Sequence, residues 1–146
     1  MARRDLAGLR ITSSEQVDEA LRARLGAGLD AALPADVAPF RPRPLAVLLH
    51  DPGGRLVGWL IGRSFWGWLM IELLWVDGAV RGAGHGRRLM ASAEAKGRRR
   101  GCHHARADTY SFQAPGFYEK CGYGRIGTMD DCPLGHRRYV YARALL

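Results

Sequence analysis

At 146 residues the chain has the length of one ordinary domain, and 47% hydrophobic with 25% charged residues places it among globular chains rather than disordered or fibrous ones. Its most apolar stretch, 65–76, is too short to span a bilayer and contains Glu72, and the basic start leads into no apolar run of signal-peptide length, so a cytoplasmic protein without a membrane segment is expected. A net charge of +8 raises the question of a nucleic-acid partner, but the cations are scattered from Arg3 to Arg143, with one dense run at 98–100 that a solvated helix end explains, and none is expected.

Ser13 or Ser14, followed by Glu15 and Gln16, reads as a helix cap, and Val17, Ala20, Leu21, Leu25, Leu29 and Leu33 keep helical spacing after it. The proline-bearing stretch 34–44 is a connection. Residues 45–50 and 56–61 are apolar runs around the turn signal Asp51-Pro52-Gly53-Gly54, which predicts an antiparallel hairpin. A third strand is expected over 67–76, with Trp68, Met70, Glu72, Leu74 and Val76 on one face and Leu69, Ile71, Leu73 and Trp75 on the other. Both faces are apolar except at Glu72, which suits the centre of an α/β or α+β sheet. A glycine-rich turn at 81–86 leads into an amphipathic helix through Leu89, Met90 and Ala93, which Gly97 or Gly101 ends. A strand at 105–110, a short helix opening on Pro115 and closing before Gly122, and strands at 124–129 and 137–144 complete one domain over 1–146.

Cys102, Cys121 and Cys132 are an odd number with no Cys-x-x-Cys pair, which argues against a disulfide framework or zinc ribbon. His103 and His104, as strand neighbours, are expected to point to opposite faces, so no metal site is expected.

The turn offers free helix N–H groups and close backbone approach, a phosphate site. It is not a nucleotide P-loop, because Gly86-Arg87-Arg88 supplies no magnesium-binding hydroxyl. Nor does it fit the dinucleotide pattern, which would put Arg87 where the third glycine packs. It spells Arg-x-x-Gly-x-Gly, as Arg81-Gly82-Ala83-Gly84-His85-Gly86, after the apolar strand end Leu74-Trp75-Val76. About thirty residues later comes Phe117-Tyr118-Glu119-Lys120-Cys121-Gly122-Tyr123. With these two motifs in this order, over about 45–146, the chain resembles the GNAT acetyltransferases.

The resemblance implies a mixed, mostly antiparallel sheet flanked by helices, in which two central parallel strands splay beside a strand bulge and admit the pantetheine arm of acetyl-CoA. It implies that the backbones of Trp75 and Val76 pair with the pantetheine, and that the N–H groups from Gly82 through Ala83, Gly84, His85 and Gly86 to Arg87 hold the pyrophosphate, with basic residues near the turn meeting the adenosine phosphates. Where family members often place a cofactor-contacting asparagine, this chain has Ser111. By the same resemblance the Val76 N–H polarises the thioester carbonyl and the Tyr118 hydroxyl protonates the leaving sulfur. Glu72 is the candidate general base, because a carboxylate on a buried strand is costly unless paired or used, pairing with Arg63 or Arg106 being the alternative. The cluster at 65–68 reads as hairpin core or as a wall of the acceptor pocket. The expected partner is a small-molecule or peptide amine accepting the acetyl group by direct attack, and a homodimer is compatible with the sequence. The competing reading is a non-catalytic GNAT-like module that binds acyl-CoA or nucleic acid.

Overall fold

The computed structural model describes residues 7–146, which fall into two units, one ending at Pro39 and the other running from Phe40 to Leu146. The first carries helix α1, Glu19–Ala31. Its cap is Asp18, whose Oδ1 accepts the Leu21 N–H at 2.8 Å, rather than the serines upstream; Ser14 Oγ instead accepts the Gln16 N–H at 3.0 Å. Asp18 followed by Glu19 puts two acidic groups at the positive end of the helix dipole, and this local gain sets the start.

The second unit is built on six strands: β1 (Arg43–His50), β2 (Leu56–Phe65), β3 (Trp68–Val76), β4 (His104–Tyr110), β5 (Gly124–Asp130) and β6 (Arg137–Ala144). Their spatial order is β1-β2-β3-β4-β6-β5, antiparallel except for the β3/β4 pair. The expected hairpin at 45–61 forms, and its second strand runs four residues further than its apolar pattern. It ends at a two-residue turn in which Trp66 and Gly67 have φ of 46° and 76°, the left-handed pair a tight hairpin demands.

Helix α2 (His85–Arg99) presses Leu89, Met90, Ala93 and Gly97 onto the sheet, where Leu60, Leu69 and Tyr141 are fully buried. Burial of side chains of this size contributes about 1.5–3 kcal/mol each. Gly97 is inside α2, against Leu69, and Gly101, at φ 85°, follows the helix end. Glu94 is buried on the same helix and is satisfied by the Tyr123 hydroxyl at 2.9 Å and by Arg143 at 3.2 Å. The basic run at the end of α2 is not merely solvated. Arg98 donates to the Leu145 carbonyl at 2.6 Å, and Arg100 donates to the carbonyls of Arg43 and Pro44 at 3.0 and 2.9 Å and to Ser64 Oγ at 3.1 Å, clamping the helix to the sheet. Helix α3 (Pro115–Lys120) closes the C-terminal half. Among the described residues no helix is long and apolar enough to cross a membrane.

Strand β3 departs from simple alternation. Ile61 pairs with Leu73 while Gly62 pairs with Ile71, so Glu72 is an extra residue in a bulge. The bulge reverses the phase of the strand beyond it. Leu74 and Val76 join the core with Leu69 and Ile71, whereas Glu72, Leu73 and Trp75 are exposed, which corrects the two-face assignment above. Gly62 is required beside the bulge, since a Cβ there would collide with the Met70 carbonyl.

Candidate active site

The parallel strands β3 and β4 are paired only from Trp68 opposite His104 to Ile71 opposite Ala107. Beyond these four pairs they part, and the fork begins at the bulge. The Asp77 N–H bonds the Val57 carbonyl at 2.8 Å, which makes Gly58 and Val76 a non-hydrogen-bonded pair in the β2/β3 ladder. The amide of Val76 is therefore turned away from β2 and into the fork, and by alternation so is that of Leu74. The amide of Trp75 faces β2. The backbone groups open to a ligand are thus those of Leu74 and Val76 rather than Trp75 and Val76, a distinction that depends on ladder register.

A cavity of about 770 Å³ fills the fork and runs to the start of α2. Its floor is the glycine-rich turn, of which Arg81, Gly82, Gly84, His85, Gly86 and Arg87 line it and Ala83 does not. Gly82 and Gly84 have φ of 80° and 81°, left-handed conformations that favour glycine. Gly84 caps α2 without a side-chain acceptor, and no acidic residue occupies the first turn, so the N–H groups there are left to an anion. Arg81 is committed to the protein, donating to the Val76 carbonyl at 2.8 Å, and Arg87 donates to the Lys120 carbonyl.

Tyr118, on α3, lines the same cavity and is 7% exposed. Its ring stacks on Tyr141 at 6.0 Å and meets Tyr123 edge-on at 6.1 Å. Burial, with smaller contributions from Cys121 and Asp108, pushes its hydroxyl up to about 12. The phenol consequently keeps its proton throughout the neutral range.

Ser111 is not among the residues that line the cavity. Its Oγ accepts the Arg137 N–H at 3.0 Å, fastening β4 to β6, and the cavity is lined at this level by Thr109, Phe112 and Gln113. Glu72 also does not line the cavity. It is exposed and ion-paired with Arg63 at 2.8 Å, so the premise that it is a buried carboxylate does not hold. Across the start of the fork stands Asp108, the same distance past the last β3/β4 pair. Arg106 and Arg138 grip its carboxylate at 2.6–3.1 Å. Burial alone would raise its pKa, but the hydrogen bonds from the two guanidiniums outweigh this and hold it below the usual carboxylate range.

The aromatic cluster lies at the opposite end of β3. Phe65 and Trp66 pack on Phe40 at the hairpin turn, and Trp68 stacks on His104 at 4.7 Å, where the two strands are still zipped. His103 precedes β4, so strand alternation does not separate it from His104, and their Nδ1 atoms are 2.6 Å apart.

A parallel pair of strands forking at a bulge, unpaired amides on one arm and an uncapped glycine turn at its end suit an extended ligand that carries an anionic group. The chain belongs to the acetyltransferase (GNAT) family, whose sequence profile matches residues 15–123, and is an acyl-CoA-dependent acetyltransferase. It is 44% identical over 93 residues to a blasticidin-S acetyltransferase of Streptomyces morookaense, covering 63% of this chain and 68% of that protein. Among solved structures it is similar to a putative acetyltransferase of Agrobacterium tumefaciens, at 28% identity and a TM-score of 0.79 over 93% of this chain and 99% of that one. It is also similar to an acetyltransferase of Bacillus cereus, at 26% identity and a TM-score of 0.77 over 91% and 97% of the two chains.

Proposed function

We propose that the protein transfers the acetyl group of acetyl-CoA to a primary amine of a small molecule, by direct attack of the amine in a ternary complex. The observation that carries this reading is the placement of the protonated Tyr118 phenol in the same cavity as the outward-turned Val76 amide and the α2 turn. Leu74 and Val76 hold the pantetheine as an added strand would, and the N–H groups at the start of α2 hold the pyrophosphate.

As the amine nitrogen bonds to the thioester carbon, negative charge develops on the carbonyl oxygen, and the Val76 N–H is the donor for it. When the carbon–sulfur bond breaks, the Tyr118 hydroxyl delivers its proton to the sulfur. Glu72, at the bulge where the fork begins and in contact with solvent, accepts the proton that the nitrogen loses, through water. The similarity to a protein named for acetylating blasticidin-S supports a small-molecule acceptor.

The test is thiol release from acetyl-CoA in the presence of a panel of amines, with the product identified by mass. We expect N-acetylated product from at least one small amine, with one thiol released per acetyl group transferred. Release no faster with any amine than without one would overturn the proposal.

A further inference from the structure

Two aromatic rings border the cavity from opposite arms of the fork, outside the buried core. Trp75, on β3, is 39% exposed, and Phe112, just after β4, is 55% exposed; both line the cavity. Each is propped by further rings. Trp59 lies 6.2 Å from Trp75, Tyr110 stacks on Phe112 at 5.3 Å, and His136 meets Phe112 edge-on at 5.1 Å. Rings held in place yet uncovered are the usual lining of a site for an apolar or flat ligand. The cofactor does not require them, because β3 offers it the amides of Leu74 and Val76 and α2 offers its N–H groups.

Charge does not supply the recognition instead. The two carboxylates flanking the fork are both already paired, Glu72 with Arg63 and Asp108 with Arg106 and Arg138. An ammonium in water gains little by competing with a guanidinium for either of them. Beside the neutral polar side chains of Thr109 and Gln113, the pair of ring surfaces is the largest feature left to select an acceptor.

We propose that the acceptor is an amine borne on, or one short linker from, a flat conjugated ring, and that Trp75 and Phe112 set this specificity. This rests on the acetyl-transfer reading above and narrows it to a class of amine.

The experiment compares 2-phenylethylamine with 2-cyclohexylethylamine, which match in size and linker and differ in flatness. The wild-type enzyme should favour the phenyl compound in kcat/KM by about 2- to 12-fold, the range for one good aromatic contact. Trp75→Leu and Phe112→Leu should each reduce that preference through KM while leaving the Kd for CoA unchanged, and Trp75→Phe should retain most of it. Equal kcat/KM for the two amines, or leucine variants that lose CoA affinity and keep the preference, would overturn this inference alone. No thiol release with any amine would overturn the acetyl-transfer reading and this inference with it.

Discussion

Gly86 lies so close to the ring of Phe117 that a Cβ on it would stand 3.0 Å from Phe117 Cε2. Since Gly86 belongs to the first turn of α2 and Phe117 to α3, and both line the cavity, this contact limits the width of the cleft where α2 begins.

Gly86→Ala should therefore displace Phe117 toward the cofactor at a strain of about 1–3 kcal/mol. The expected result by calorimetric titration is a Kd for CoA raised about 5-fold or more. Gly116→Ala, on α3 with nothing within 4 Å of its added methyl, should leave the Kd unchanged. Equal affinity in Gly86→Ala and the wild type would show that the cofactor does not pass this point.

Tyr118→Phe should lower kcat by about 10- to 1000-fold with the CoA Kd preserved, because the ring still stacks on Tyr141 and only the proton is lost. The same hydroxyl has a pH signature in stability. Its folded pKa, about 12, lies above the unfolded value near 10, so the stability it contributes is complete below pH 10 and disappears as pH rises toward 12. Denaturant melts between pH 10 and 12 should show a shallower loss in Tyr118→Phe than in wild type. Identical slopes would mean that the phenol is not desolvated as described.

Glu72 and Arg63 separate the base from the ion pair. If Glu72 takes the amine's proton, Glu72→Gln abolishes the acidic limb of the kcat/KM profile, whereas Arg63→Gln, which removes the ion-pair partner and keeps the carboxylate, retains that limb. Stability should change by less than about 1 kcal/mol in either variant, the pair being exposed. An acidic limb surviving in Glu72→Gln would assign proton acceptance to solvent.

The sequence made the fold legible wherever one residue type had one local use. The turn at 81–86, the tyrosine helix and the later strands fall where expected, because glycine, proline and apolar periodicity act over a few residues. The phase of β3 was hidden for a physical reason. With apolar residues on both faces from Trp68 to Val76, a single extra residue leaves no mark in the pattern, so neither the exposure of Trp75 nor the inward turn of Leu74 could be read. The hydrogen bond that occupies Ser111 was equally hidden. Its hydroxyl found a backbone partner on β6, and Phe112 faces the cavity instead. Arg106 and Asp108 stand two apart on β4, but the grip of Arg138 on the same carboxylate comes from β6, thirty residues on, and gave no local signal. One positive hint did exist, in the aromatic residues at 110 and 112, two apart at a strand end.

Strand β4 is the one member of the sheet with no hairpin partner. β1, β2 and β3 zip together in chain order, and β5 pairs with β6 across a short loop, but β4 is held on one side by β3, with all of α2 intervening, and on the other by β6, with α3 and β5 intervening. Both of its ladders carry the closure entropy of long chain loops, which local hairpins avoid. One arm of the cleft is thus the least local strand in the molecule, and it stands only when segments on both sides of it in the sequence have returned to meet it. Cleft geometry and complete folding are in this way the same event: a chain cut short before β6 keeps its Arg81 to Gly86 turn and its Tyr118, but β4 is then held only by its short ladder to β3, and its length beyond Ala107 loses every strand partner.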